Sequence, residues 1–73
     1  MTYLLTITNN HGKIFYRKEF TDLADARAIA AHGKQEYYQQ IPPGDAVKVK
    51  IEKVIPGQET QLCYWSKSRK HQP

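Results

Sequence analysis

Four side chains in this 73-residue chain have types suited to act as nucleophile, general base or soft metal ligand: His11, His32, His71 and Cys63. They fall in a turn-forming stretch, a helical stretch, the C-terminal end and a strand-like stretch, at spacings that match no zinc pattern and no nucleophile–base pair. His32 and Glu36 stand four apart, which puts them on one helix face as half of a metal site; with no further ligand in sight, the pair reads as an exposed surface contact. A reactive cysteine needs a neighbouring base or a helix start to lower its pKa, and Cys63 sits inside a β-like run that promises neither. Asp22 and Asp25 suit helix capping better than acid–base work, and Glu52 and Glu59 are scattered over a strand and a turn. The glycines of "HGK" and "PGQ" are single turn residues, not a phosphate-cradling loop. The expectation is a protein without catalytic residues, metal or cofactor.

The elements that position these side chains follow from periodicity. "TYLLTIT" (2–8) alternates Tyr3, Leu5 and Ile7 against threonines, as a half-buried strand does, and "KIFYRKEF" (13–20) follows after the turn-formers "NNHG" (9–12). Thr21 or Asp22 caps a helix over "LADARAIAAHGKQEYYQQ" (23–40), whose stripe of Leu23, Ala26, Ile29, Ala30, Gly33 and Tyr37 is small enough to lie close on a sheet. Gly33 reads either as the end of a shorter helix or as a close-contact point within the longer one, and the helix-forming residues that follow favour the longer helix. "IPPGD" (41–45) stops the helix, since proline disfavours helical geometry in its predecessor and lacks an N–H. "AVKVKIEKVI" (46–55) alternates apolar with charged residues, and "TQLCYWSK" (60–67) completes a second hairpin beyond "PGQE".

This order predicts an α+β fold: two-layer ββαββ, one helix packed on a four-stranded sheet. The sheet is either antiparallel, in the order 2-1-3-4, or mixed and β-grasp-like, in the order 2-1-4-3. The charges of Arg17, Lys18 and Glu19 place the second strand at an edge in both. Residues 1–67 form the expected single domain, and 68–73 the expected flexible basic tail. With 40 % hydrophobic and 25 % charged residues the chain has an ordinary globular composition, though at this length its core must be thin. The lone cysteine excludes an internal disulfide and fits a reducing, cytoplasmic setting. No stretch has the length of a membrane span and no signal peptide opens the chain, so it reads as a small open reading frame used as translated.

What remains for function is surface. Most of the net charge of +4 lies at the end: residues 1–60 hold eight basic and seven acidic side chains, whereas 61–73 hold three basic and none acidic. If Leu5, Ile7, Ile14, Tyr16, Val47, Val49, Ile51, Leu62 and Tyr64 face the helix, the open face carries Leu4, Phe15, Arg17, Lys48, Lys50, Trp65 and Lys67, and Arg69 and Lys70 extend it. Aromatic and basic groups so arranged suit base stacking with phosphate neutralisation, or a protein-binding patch, or simply basic stems covering a one-sided sheet. Either edge strand offers a route to an edge-paired homodimer; otherwise the chain is a monomer.

A short chain of strands around one capped helix, "TDLADARAIAAHGK", with no catalytic set, resembles the small phage-encoded anti-CRISPR proteins. The resemblance lies in layout, so it transfers no binding residue. It implies a partner that is a protein or ribonucleoprotein complex, with the open face occupying a surface of a nucleic-acid-handling assembly. The alternative is a stand-alone module binding DNA or RNA.

Overall fold

The computed structural model describes residues 1–71. Its elements are β1 (Thr2–Asn9), β2 (Ile14–Phe20), α1 (Leu23–Gln40), β3 (Ala46–Val54) and β4 (Gln61–Arg69). The four strands form one antiparallel sheet in the order β2-β1-β3-β4, and α1 packs on one face of it, chiefly over β1, β2 and β3. This is the α+β ββαββ layout, and the pairing of β1 with β3 excludes the β-grasp order.

Local chemistry accounts for the boundaries. Asn9 Oδ1 accepts bonds from the backbone N–H groups of His11 and Lys13, which closes the first turn around Gly12 at φ 88°. Asp22, extended at φ −124°, accepts from Ala24 N at 2.8 Å and satisfies one of the otherwise unpaired donors of the first helical turn. The helix runs through Gly33 to Gln40. A Cβ built on Gly33 would stand 2.7 Å from Ile7 Cδ1, so the glycine is a contact point that lets helix and sheet approach.

The core is one layer of side chains between helix and sheet. Leu5, Ile7, Val47, Val49 and Ile51 are fully buried there, with Ala26 and Ala30 from the helix and Ile41 just beyond its end. Each large aliphatic among them contributes about 1.5–3 kcal/mol through removal from water.

Two irregularities overturn expected orientations. The β1–β2 register shifts between Ile7 and Thr8, so that Tyr16 lies opposite Ile7 and Ile14 opposite Thr8, with Phe15 as the extra residue. Phe15 therefore turns to the helix side, where its ring stacks on Tyr37 at 4.9 Å and 8°, and Ile14 takes the open face at 54 % exposure. The β3–β4 register shifts in the same way between Ile51 and Glu52. Tyr64 stays on the helix side with the Arg27 guanidinium 5.5 Å from its ring centre. Leu62, expected in the core, lies opposite Glu52 at 61 % exposure.

At the C-terminal end β4 runs two residues past the expected strand. Ser68 and Arg69 belong to β4, and Lys70 exchanges backbone bonds with the 44–45 segment: Lys70 N donates to Asp45 O at 2.7 Å and Gly44 N to Lys70 O at 2.6 Å. The Lys70 ammonium donates to Ile41 O at 3.0 Å and Gln39 O at 3.4 Å, at the end of α1. The last turn of α1 has no basic residue of its own, so Lys70 supplies the cation that the negative end of the helix dipole favours. Of the expected tail, residues 72 and 73 lie outside the described residues.

Candidate functional site

Antiparallel pairing lines up the open face in rows that cross all four strands. Arg17, Thr6, Lys50 and Trp65 form one row; Ile14, Thr8, Lys48 and Lys67 form the next towards the β1–β2 turn. On the other side of the first row lie Glu19, Leu4, Glu52 and Leu62. The face is thus divided, two basic rows bearing four cations beside one row bearing two carboxylates. Adjacent rows are two residues apart along a strand, about 6.8 Å, so their cations act on a bound group together.

Trp65 is the aromatic group of this face. It stands opposite Lys50 at 55 % exposure, and with Thr6, Thr8, Lys48 and Lys50 it bounds a shallow depression of about 170 Å³. The threonines form its floor because short side chains on the central strand β1 leave room beneath the longer lysines. Lys50 is partly neutralised by Glu52, Nζ to Oε1 3.3 Å. Among the described residues no carboxylate lies within ion-pair distance of Arg17, Lys48 or Lys67.

The Glu52 carboxyl is displaced from its ordinary pKa. The Thr60 hydroxyl donates to its Oε2 at 2.7 Å and holds the carboxyl below its ordinary value; burial opposes this, and Lys50 and Arg17 add to it. A depressed carboxyl stabilises the fold above its unfolded pKa, and the contribution is lost as pH falls through the folded value. The stability difference between the parent chain and Glu52→Gln is therefore expected in full at pH 7 and should shrink as pH drops below about 4.3. Urea midpoints of both proteins at pH 7 and pH 3 check this; a difference that persists unchanged at pH 3 contradicts it.

Of the eight residues singled out from sequence, the structure brings Arg17, Lys48, Lys50, Trp65 and Lys67 together on the open face. It does not bring Phe15, which packs against Tyr37, or Lys70, which sits at the end of α1. Arg69 lies opposite Ala46 at the end of β4, on the same face as Trp65 and Lys67, with its Nη1 turned to Gly44 O at 3.4 Å. Thr6, Thr8, Ile14, Leu62 and the acidic row were missed. The threonines were legible in the alternation of "TYLLTIT"; Ile14 and Leu62 were not, because each follows from a bulge.

The chemistry-bearing side chains stay apart. His11 Nε2 lies 3.2 Å from Asp45 Oδ1 beside the first turn, and His32 Nε2 lies 3.9 Å from Glu36 Oε1 on the exposed helix surface. Cys63 is exposed. Among the described residues no three of the His, Cys, Asp and Glu side chains converge as a metal site would need, and no helix is long and apolar enough to cross a membrane. Compared with protein-family models, with curated proteins and with solved structures, the chain has no match.

Proposed function

We propose that this chain is a non-enzymatic binding protein whose open sheet face docks on an anionic surface of a protein or ribonucleoprotein assembly that handles nucleic acid. The observation that carries the reading is the cluster of Trp65 with Arg17, Lys48, Lys50 and Lys67 on two adjacent rows, in a face that no other described element covers. A half-exposed tryptophan ringed by basic stems has the composition of an interface hot spot, with an aromatic anchor and cations that set orientation and encounter rate. A guide-loaded effector is the partner of that chemistry that the layout resemblance to phage-encoded anti-CRISPR proteins implies.

A stand-alone nucleic-acid binder is the second reading, and the unpaired cations Arg17, Lys48 and Lys67 favour it. Against it stands the loss of Phe15 to the helix side, since a single-strand platform stacks successive bases on more than one aromatic ring. Trp65 is the only tryptophan and reports on both. On the docking reading, its fluorescence responds to a purified guide-loaded effector, with an affinity that changes modestly between low and physiological salt. Saturable quenching by a single-stranded oligonucleotide alone, collapsing steeply as salt rises, would replace the docking reading with the nucleic-acid one.

A further inference from the structure

Among the described residues β2 is unpaired along its outer edge, as β4 is at the opposite side of the sheet. Which backbone groups point outward from β2 follows from the bonds of its neighbour. Asn9 N donates to Lys13 O, and antiparallel bonding alternates along a strand, so Ile7, Leu5 and Tyr3 bond to β2 through Tyr16, Lys18 and Phe20, with which they are in register. The N–H and C=O groups of Arg17 and Glu19 therefore point away from β1, in a stretch from Tyr16 to Phe20 whose register is unbroken. The Arg17 and Glu19 side chains are exposed on the open face, and among the described residues neither joins an ion pair within the chain. Tyr16, Lys18 and Phe20 lie on the helix side.

Charges on an edge bar most pairings, but opposite charges two residues apart match a second copy of the same strand in one register. With a two-fold axis at Lys18, Arg17 stands opposite Glu19 of the second copy and Glu19 opposite its Arg17. The residues with free backbone groups then exchange hydrogen bonds, and their side chains form an ion pair on each side of the axis. On the helix side the same register sets Tyr16 against Phe20; both are half-buried in one chain, and aromatic pairs are favourable cross-strand contacts. Moving the axis by one residue sets Arg17 against Arg17 or Glu19 against Glu19. The cost of the matched register is Lys18 against Lys18, yet these side chains are exposed, and each ammonium is drawn over its own Phe20 ring, 5.4 Å from the centre. β4 offers no such match: it carries Lys67 and Arg69 and no acidic residue, so pairing with itself gathers like charges along the seam. Beside β2 the helix layer also leaves apolar surface uncovered, in a groove of about 300 Å³ lined in part by Tyr16, Tyr37 and the exposed Ile29. The two-fold sets the second copy's groove across the seam from it.

We infer that the chain forms a two-fold homodimer through β2, in the register that pairs Arg17 with Glu19, so that the strands of both copies make one continuous sheet. Antiparallel pairing keeps both helices on one side of that sheet and both open faces on the other. A partner of the open face then meets two sets of Lys48, Lys50, Trp65 and Lys67 on one surface, with Arg17 neutralised at the seam. Dimerisation uses only the edge of β2, so it stands or falls independently of the docking proposed for the face.

The test is sedimentation equilibrium of the full chain over a range of concentrations, with circular dichroism to establish that each variant is folded. The parent chain is expected to reach the mass of two chains as concentration rises. Arg17→Glu and Glu19→Arg should each weaken the dimer at least about tenfold, because each sets like charges opposite one another on both sides of the axis. The double variant Arg17→Glu/Glu19→Arg should restore it. An equimolar mixture of the two single variants should restore it as well, since the carboxylates of one copy then meet the cations of the other. Lys18→Thr removes the repulsion at the axis and should tighten the dimer at least about twofold. A parent chain that keeps the mass of one chain at every concentration, a dimer indifferent to both single reversals, or single variants rescued neither by the double swap nor by mixing would overturn the proposal.

Discussion

Replacing Ile7 with alanine is expected to lower the free energy of unfolding by about 2–5 kcal/mol, towards the upper end of that range. Ile7 is fully buried on the central strand β1 and its Cδ1 fills the space in front of Gly33. The cost of such a truncation depends on how far the surroundings relax into the gap. Gly33 has no side chain to move, and Ala26 and Ala30 on the same helix face are too short to reach across. In a domain whose total stability is on the order of 5–10 kcal/mol, the loss takes a large share. Urea unfolding followed by circular dichroism measures it, and a midpoint equal to that of the parent chain would show that this contact does not hold the helix to the sheet. The same contact predicts a coupling of definite sign. Gly33→Ala gains up to about 1 kcal/mol of helix propensity but forces its Cβ against Ile7 Cδ1, so it is expected to be better tolerated beside Ile7→Val, which removes that methyl.

Trp65→Ala is expected to weaken binding of the macromolecular partner by about 2 kcal/mol or more, roughly thirtyfold, while changing stability by less than about 1 kcal/mol. The asymmetry follows from where the ring stands. It is more than half exposed on the open face, outside the buried cluster, so folding removes little of its surface from water, whereas docking would bury most of what remains. Lys48→Glu should act differently, reducing the association rate and its salt dependence more than the lifetime of the complex, as a rim charge does. Stopped-flow or surface-binding kinetics with the partner at two salt concentrations, alongside urea midpoints of both variants, separate the two effects. A Trp65→Ala protein that binds as the parent does would remove the open face from consideration as the docking surface.

The open face was partly legible in the chain because alternation in a strand assigns faces without any knowledge of the fold. Lys48 and Lys50 against Val47, Val49 and Ile51 is such a case, and Arg17, Trp65 and Lys67 fall on the same face for the same reason. Alternation carries this information only as far as the next bulge. At Phe15 and Cys63 one extra residue reverses the parity of the strand's end, which moved Phe15 to the helix side and exposed Ile14 and Leu62. Nothing in "KIFYRKEF" or "TQLCYWSK" marks the residue that bulges, since the bulge relieves a mismatch between strands and is not a preference of either alone.

By itself, then, the sequence determined the elements and the two ends of the helix, because capping by Asp22, the proline stop after Ile41 and the period-2 patterns depend on residues adjacent in the chain. It determined that the helix meets the sheet through small residues. The tertiary structure alone decided that β1 pairs with β3 and that two carboxylates stand in the row beside the basic ones. It also decided that Lys70 is drawn to the end of α1 and away from the basic face. Those outcomes depend on which strand edges meet and in what register, a choice made by the summed burial of one shared core and recorded in no single segment.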